Sequence, residues 1–125
     1  MAEERVRQLK AIMFTDIKGF SSMMGKDEEL TVRLVNEHRE LVRDALAKHR
    51  GEERQTIGDA FMVLFDSAVN AVCCAVEIQT RMREANVPRA EGERVWIRIG
   101  IHLGDIIVDE KDIYGDGVNI AARVR

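Results

Sequence analysis

Apolar and polar residues divide this chain into stretches of two periodicities. Ala11, Ile12, Met13 and Phe14 form an apolar run that ends at Asp16, which predicts a first strand over roughly Leu9 to Asp16, covered on both faces. Residues 1–8 are polar and read as a frayed lead-in to a single domain over 9–125. From about Glu28 to Lys48, Leu30, Leu34, Leu41, Val42, Ala45 and Leu46 recur at helical spacing with Arg and Glu between them. The acids of Lys26-Asp27-Glu28-Glu29 suit the first turn of that helix. Val32 and Val35 fall off the stripe, and the polar stretch Asn36 to Arg39 allows a break there. Gly51 is placed to stop the helix.

Arg54 to Thr56 and Ala60 to Phe65 read as strands flanking a two-residue turn, Gly58-Asp59, with the glycine able to take a positive φ. Ser67 predicts the N-cap of a second long helix, Ala68 to about Glu84. Val69, Val72, Cys73, Val76 and Met82 would form its stripe for packing on a sheet. Asn86 to Gly92 holds the only proline, Pro88, and reads as a loop. Val95 to Ile101 alternates as a strand, Gly104 predicts a turn, and Ile106 to Val108 a returning strand. An acidic loop (Asp109 to Asp112), a Gly-Asp-Gly turn (Gly115 to Gly117) and the start of a helix (Val118 to Arg125) follow. The order β–α–β–β–α–β–β–α predicts an α+β fold, a ferredoxin-like sheet with helices on one face. The last helix reaches Arg125 uncapped, with apolar surface and carbonyls unpaired, so an incomplete domain is expected.

Composition narrows the class. A chain of 125 residues suffices for one domain with its own core, and not for two. The net charge of −3, with basic residues spread along the chain, offers no nucleic-acid or anionic-membrane surface. No apolar run approaches the roughly 20 residues that span a bilayer, and the charged start (Glu3, Glu4, Arg5, Arg7) is no signal peptide. Cys73 and Cys74, adjacent in an apolar stretch, suit small buried side chains in a reducing compartment better than a metal pair or a disulfide. A cytoplasmic domain is expected.

Candidate chemistry centres on two carboxylates. Asp16 ends the first strand and opens Lys18-Gly19-Phe20-Ser21-Ser22, whose glycine lets backbone N–H groups approach an anion. Asp59 sits on the hairpin turn. An acid beside such a loop, facing a second acid on a neighbouring turn, suits Mg²⁺ and a polyphosphate. Each aspartate taken alone also suits a turn or a cap. Asn119 and Arg123 lie four apart, on one face of the last helix, where a solvated arginine is the plainer alternative. His102, at a strand end, reads as structural, and His38 and His49 lack ligand partners at metal spacing. Trp96 and the methionines suit core or interface packing.

Four ordered blocks, FTDIKGF, TIGDAFMVLF, IRIGIHLGD and IYGDGVNIAARV, resemble the catalytic domain of class III adenylate/guanylate cyclases of bacterial type, over about Lys10 to Arg125. The resemblance implies the class III nucleotidyl cyclase fold with its C-terminal strands missing, and head-to-tail pairing with a second copy that forms two sites in the groove between them. It assigns two ions, Mg²⁺ or Mn²⁺, to Asp16, Asp59 and the backbone carbonyl of Ile17, with Lys18, Gly19 and Phe20 in the substrate loop. The implied reaction converts ATP to 3′,5′-cyclic AMP and pyrophosphate. Two divalent ions would activate the ribose 3′-hydroxyl and neutralise the leaving group, which leaves positioning and charge stabilisation to the protein. From the partner subunit, Asn119 would orient the ribose and Arg123 would stabilise charge on the transferring phosphate, a task for a cation that stays charged and offers a planar fork.

The chain departs from the family pattern at the base. Adenylate cyclases of the family read adenine with a lysine four residues before the second metal aspartate and an aspartate or threonine seven before the asparagine. Gln55 and Asp112 stand there. Asp112 would accept from the exocyclic amine, and Gln55 would bond a ring nitrogen without a charge. The guanine-reading pair, glutamate and cysteine, is absent, so ATP is expected with looser selectivity. Alternation along the strand would point Arg54 away from Gln55. Family domains run several tens of residues further and include a basic residue for the triphosphate. Asp105 stands where mammalian members carry a basic residue. A fragment is therefore expected over a protein that ends early, and an incomplete sheet could alter the head-to-tail pairing, leaving the chain monomeric or letting two copies exchange segments to cover an exposed edge. A second reading is a catalytically inactive cyclase-like module for nucleotide binding or regulatory dimerisation. A third is an unrelated two-metal palm of polymerase or diguanylate cyclase type, which has no need of VNIAAR.

Overall fold

The computed structural model describes residues 6–108 and 113–114, with side chains over 8–107. In chain order the elements are β1 (Val6–Ile17), α1 (Phe20–Lys26), α2 (Glu28–Lys48), β2 (Glu52–Ile57), β3 (Ala60–Phe65), α3 (Ala68–Asn86), a 3₁₀ turn (Glu91–Glu93), β4 (Ile97–Val108) and β5 (Ile113–Tyr114). The strands form one antiparallel sheet in the order β2-β3-β1-β4-β5. The strand β1 is central, and its side chains alternate between two environments. Ala11, Met13 and Ile17 join Leu34, Val42 and Ala45 of α2 and Ala71, Cys74 and Ile78 of α3 in the main core. Ile12 turns the other way, into a smaller cluster with Met62, Leu64 and Ile106 and the half-buried Phe14. Helices therefore cover one face only, as expected for a ferredoxin-like sheet. Among the described residues no helix covers the opposite face, called the open face below, which carries this smaller cluster.

Two boundaries differ from the sequence reading for one reason. The strand β4 runs unbroken through Gly104, which pairs with Lys10, and β1 begins at Val6, paired with Val108. A continuous ladder overrides the local preference of a glycine for turns and draws polar residues 6–8 into the sheet. The returning strand is β5, whose Tyr114 and Ile113 pair with Ile107 and Val108. The expected acidic loop, Gly-Asp-Gly turn and last helix lie outside the described residues.

The helices hold further corrections. The helix α2 does not break at Asn36–Arg39: His38 is only 1% exposed and packs edge-on to Phe61, ring centroids 5.6 Å apart. Asp27 caps α2 by accepting from the Leu30 N–H at 3.0 Å. At the other end the left-handed residue is Arg50, φ 58°, and the Gly51 N–H reaches back to the Leu46 carbonyl at 2.9 Å, closing a Schellman turn. Gly51 is needed for space instead. A Cβ there would lie 2.9 Å from Cζ of Phe65 and 3.0 Å from Cγ1 of Val63.

The helix α3 is capped by Ser67, which accepts from the Asn70 N–H at 3.3 Å, but of its expected stripe only Met82 faces the core. Ala71, Cys74, Ile78 and Met82 face the core, while Val69, Val72 and Val76 are 69%, 53% and 60% exposed and Cys73 is also exposed. Both faces are apolar, so periodicity alone does not choose between them. Burial pushes the Cys74 thiol up to about 12, so it is an inert packing group. Asn86 ends the helix in the interior. Its Nδ2 donates to the Val95 carbonyl at 2.7 Å and its Oδ1 accepts from the Val95 N–H at 2.9 Å, standing in for a missing strand. No helix among the described residues is long and apolar enough to cross a membrane.

Gly51→Ala is expected to destabilise the domain by about 1–3 kcal/mol through overpacking against Phe65 and Val63. Urea unfolding reads this as a lower midpoint at unchanged slope.

Candidate active site

The site grows from the end of β1. Past Ile17 the ladder makes one more bond, the Lys18 N–H to the Trp96 carbonyl at 2.8 Å. Gly19, at φ 72°, then turns the chain into α1. Nothing lies within 4 Å of a Cβ at Gly19, so the backbone angle and not crowding calls for glycine there. Lys18 and Gly19 are exposed, while the half-buried Phe20 packs on the main core and anchors the turn.

Asp16 points to the open face of the sheet and is only 7% exposed. Directly across the β1–β4 ladder stands Arg98. Its Nε and Nη2 donate to the two carboxylate oxygens of Asp16 at 2.8 and 2.9 Å, a bidentate pair. The second aspartate arrives on the β2–β3 hairpin, where Ile57 and Ala60 pair across Gly58-Asp59 and Gly58 takes φ 57°. The Asp59 carboxylate accepts from the Ile17 N–H at 2.7 Å, so it lies against the peptide that joins Asp16 to Ile17. The hairpin thus brings Asp59 to the end of β1, beside the residue that follows Asp16. Arg98 is held above the usual arginine range chiefly by its hydrogen bond to Asp16, with the charge of Asp59 adding to it.

The helix α2 steadies the hairpin. Arg39 Nη2 donates to the Gly58 carbonyl at 2.5 Å. Arg43 makes a forked pair with Glu53 of β2 at 2.9 and 3.0 Å and lies 5.5 Å from the Phe61 ring centroid. His38 sits beneath, its Nδ1 3.2 Å from the Val35 carbonyl. Burial lowers its pKa, against the opposing effects of that carbonyl and of Asp59, so it is neutral at neutral pH.

Gln55, expected from sequence to read the base, pairs opposite Met62, which places it on the same sheet face as Asp16. The register of β2 is irregular at Arg54. A bulge falls between Glu53 and Gln55, and two successive residues of a bulged strand oppose one partner residue. Arg54 donates to Glu52 at 3.0 Å, and Glu52 lies opposite Leu64 of the open-face cluster. Asp112, Asn119 and Arg123 lie outside the described residues. Arg98 was not singled out in the sequence because its role needs a register between residues 82 apart.

The donor set fits a hard cation. Among the described residues no three His, Cys, Asp or Glu side chains cluster as a self-sufficient metal cage. Mg²⁺ is usually held by one or two carboxylates with substrate phosphates and water completing its shell, and Asp16, Asp59 and the Ile17 carbonyl are oxygen donors of that kind.

Comparison with known proteins agrees with this geometry. Residues 3–125 match the family model of the adenylate and guanylate cyclase catalytic domain. A Rhizobium meliloti (strain 1021) protein carrying the name adenylate cyclase 3 is 40% identical over 126 residues, covering 99% of this chain. The chain spans 22% of that relative's length. The solved adenylate/guanylate cyclase/hydrolase from Silicibacter pomeroyi superposes with a TM-score of 0.83 at 39% identity, covering 95% of this chain and 69% of that one. Adenylyl cyclase CyaB from P. aeruginosa superposes with a TM-score of 0.86 at 25% identity, covering 97% and 72%. The fold is that of the class III cyclases, and the chain belongs to the adenylate and guanylate cyclase catalytic-domain family.

Proposed function

We propose that this chain is the catalytic domain of an adenylate cyclase, converting ATP to 3′,5′-cyclic AMP and pyrophosphate at a site shared by two copies paired head to tail. The observation that carries the reading is the convergence of two carboxylates, with Asp59 bonded to the Ile17 N–H beside the nearly buried Asp16. Domains of this family act on nucleotides and generally use divalent metals. Two Mg²⁺ or Mn²⁺ ions on Asp16, Asp59 and the Ile17 carbonyl would supply activation of the ribose 3′-hydroxyl and neutralisation of the leaving pyrophosphate.

The chain's own residues bind and orient. Lys18, Gly19 and Phe20 form the loop beside the triphosphate, with Phe20 tethering it to the core. Gln55 offers its amide to the base, and Asp112 accepts from the exocyclic amine of adenine. From the second copy, Asn119 orients the ribose and Arg123 stabilises charge on the transferring phosphate. A module that binds nucleotide without turnover is the second reading. One observation favours it: both oxygens of Asp16 are already engaged by Arg98.

Cyclic nucleotide production from Mn²⁺-ATP and Mn²⁺-GTP, measured over a wide range of protein concentration, decides between them. Cyclic AMP formed at a specific activity that rises with concentration is expected. No product at any concentration favours the binding module. Arg123→Ala is expected to lower turnover by about 10²-fold or more while metal-nucleotide binding persists. Equal activity in that variant would remove the role assigned to Arg123.

Asp59→Asn and Asp59→Ala are both expected to abolish turnover, but to differ in stability. The alanine leaves the Ile17 N–H without its acceptor, at a cost of about 1–3 kcal/mol, whereas the amide oxygen of asparagine can still accept. Urea unfolding beside the cyclase assay separates the two effects.

A further inference from the structure

The cation now on Asp16 belongs to the protein. Arg98 uses two of its donors on the two oxygens of one carboxylate, at 2.8 and 2.9 Å, so neither oxygen faces solvent without a guanidinium N–H against it. Exposure is lopsided across the pair. The Arg98 side chain is 53% exposed and that of Asp16 only 10%, so the arginine is the outer partner and the carboxylate the inner one. An ion arriving from solvent therefore meets the guanidinium before the carboxylate. Arg98 also has room to leave, since half its surface already borders water.

We propose that Arg98 is a built-in placeholder for the divalent ion, occupying Asp16 in the free chain and giving up the carboxylate when metal binds. This rests on the reading of Asp16 as a metal ligand. A divalent ion bound to a carboxylate sits roughly 2.0–2.1 Å from its oxygen, and a guanidinium cannot keep both oxygens of that carboxylate at the same time. The two cations also repel one another across the site, where among the described residues Asp59 is the further negative charge acting on Arg98. Metal affinity is then set by an exchange of cations, and the forked pair holds a mostly buried carboxylate in place until the exchange occurs. Without its arginine Asp16 would be an open site with a higher intrinsic affinity for the ion. If Arg98 instead only aims Asp16 at the metal, its loss would weaken binding, so the two roles predict opposite signs.

The test uses Mn²⁺ alone, without nucleotide, and follows the electron paramagnetic resonance signal of free Mn²⁺ as protein is added. Arg98→Gln is expected to tighten Mn²⁺ binding on the order of tenfold, the equivalent of one lost charge-assisted pair. Arg98→Lys, a point charge without the fork, is expected to tighten it less. Circular dichroism checks that each variant is folded, and Asp16→Asn supplies the control. If Asp16→Asn lowers Mn²⁺ affinity but both Arg98 variants leave it unchanged or weaker, the placeholder role is overturned while the metal site stands. If Asp16→Asn leaves Mn²⁺ binding unaltered, Asp16 is no ligand and both readings fall.

Discussion

Everything in this domain hangs on the long antiparallel pairing of β1 with β4. It runs without a break from Val6 against Val108 to Ile17 against Ile97, and the Lys18 N–H extends it to Trp96. Two twelve-residue strands in register form a rigid spine. On one side β3 adds to β1 and carries the β2 hairpin, and on the other β5 adds to β4. Because side chains alternate across a strand, one register decides which residues meet the helices and which line the open face. A slip of one residue would exchange Met13 for Ile12 in the core and turn Asp16 inward.

The candidate site is a consequence of where that spine ends. Asp16 comes from the last turn of the pleat in β1, Arg98 from the first residues of β4, and Asp59 from a hairpin held by Arg39 and Arg43 of α2. Three segments distant in sequence reach one sheet edge on rigid elements. That arrangement suits chemistry in which the protein mainly holds charged groups still. The Asp59 bond to the Ile17 N–H joins the hairpin tip to the strand end, so the second carboxylate cannot drift from the first without losing a hydrogen bond.

The helices show how polar residues serve a core. His38 and Asn86 are nearly fully buried, one in the middle of α2 and one at the end of α3. Asn86 satisfies both backbone groups of Val95 and so seats the entry to β4 against the helix. His38 is neutral and uses its ring as an edge partner for Phe61. In α3 the buried face is that of Ala71, Cys74, Ile78 and Met82. The three valines left outside are equally apolar and no less periodic.

What was legible in the sequence was local. The apolar run into Asp16, the Gly58-Asp59 turn, the Ser67 cap and the helical stripe of α2 each rest on a few neighbouring residues, and each is present in the fold. The two aspartates could be read as a pair because strand end and hairpin tip are recognisable from such local signals, with the four family blocks pointing the same way. What the tertiary structure alone decided was non-local. Continuity of β4 through Gly104 required β1 as its partner, since a ladder bond outweighs a glycine's turn preference. The register shift between Glu53 and Gln55 is a mismatch between two strands that neither strand reveals alone. The exposed side of α3 depended on tertiary packing, and the bond from Arg98 to Asp16 on a register across 82 residues. Local composition sets which conformations a segment favours. Only the assembled sheet determines which side chains face each other.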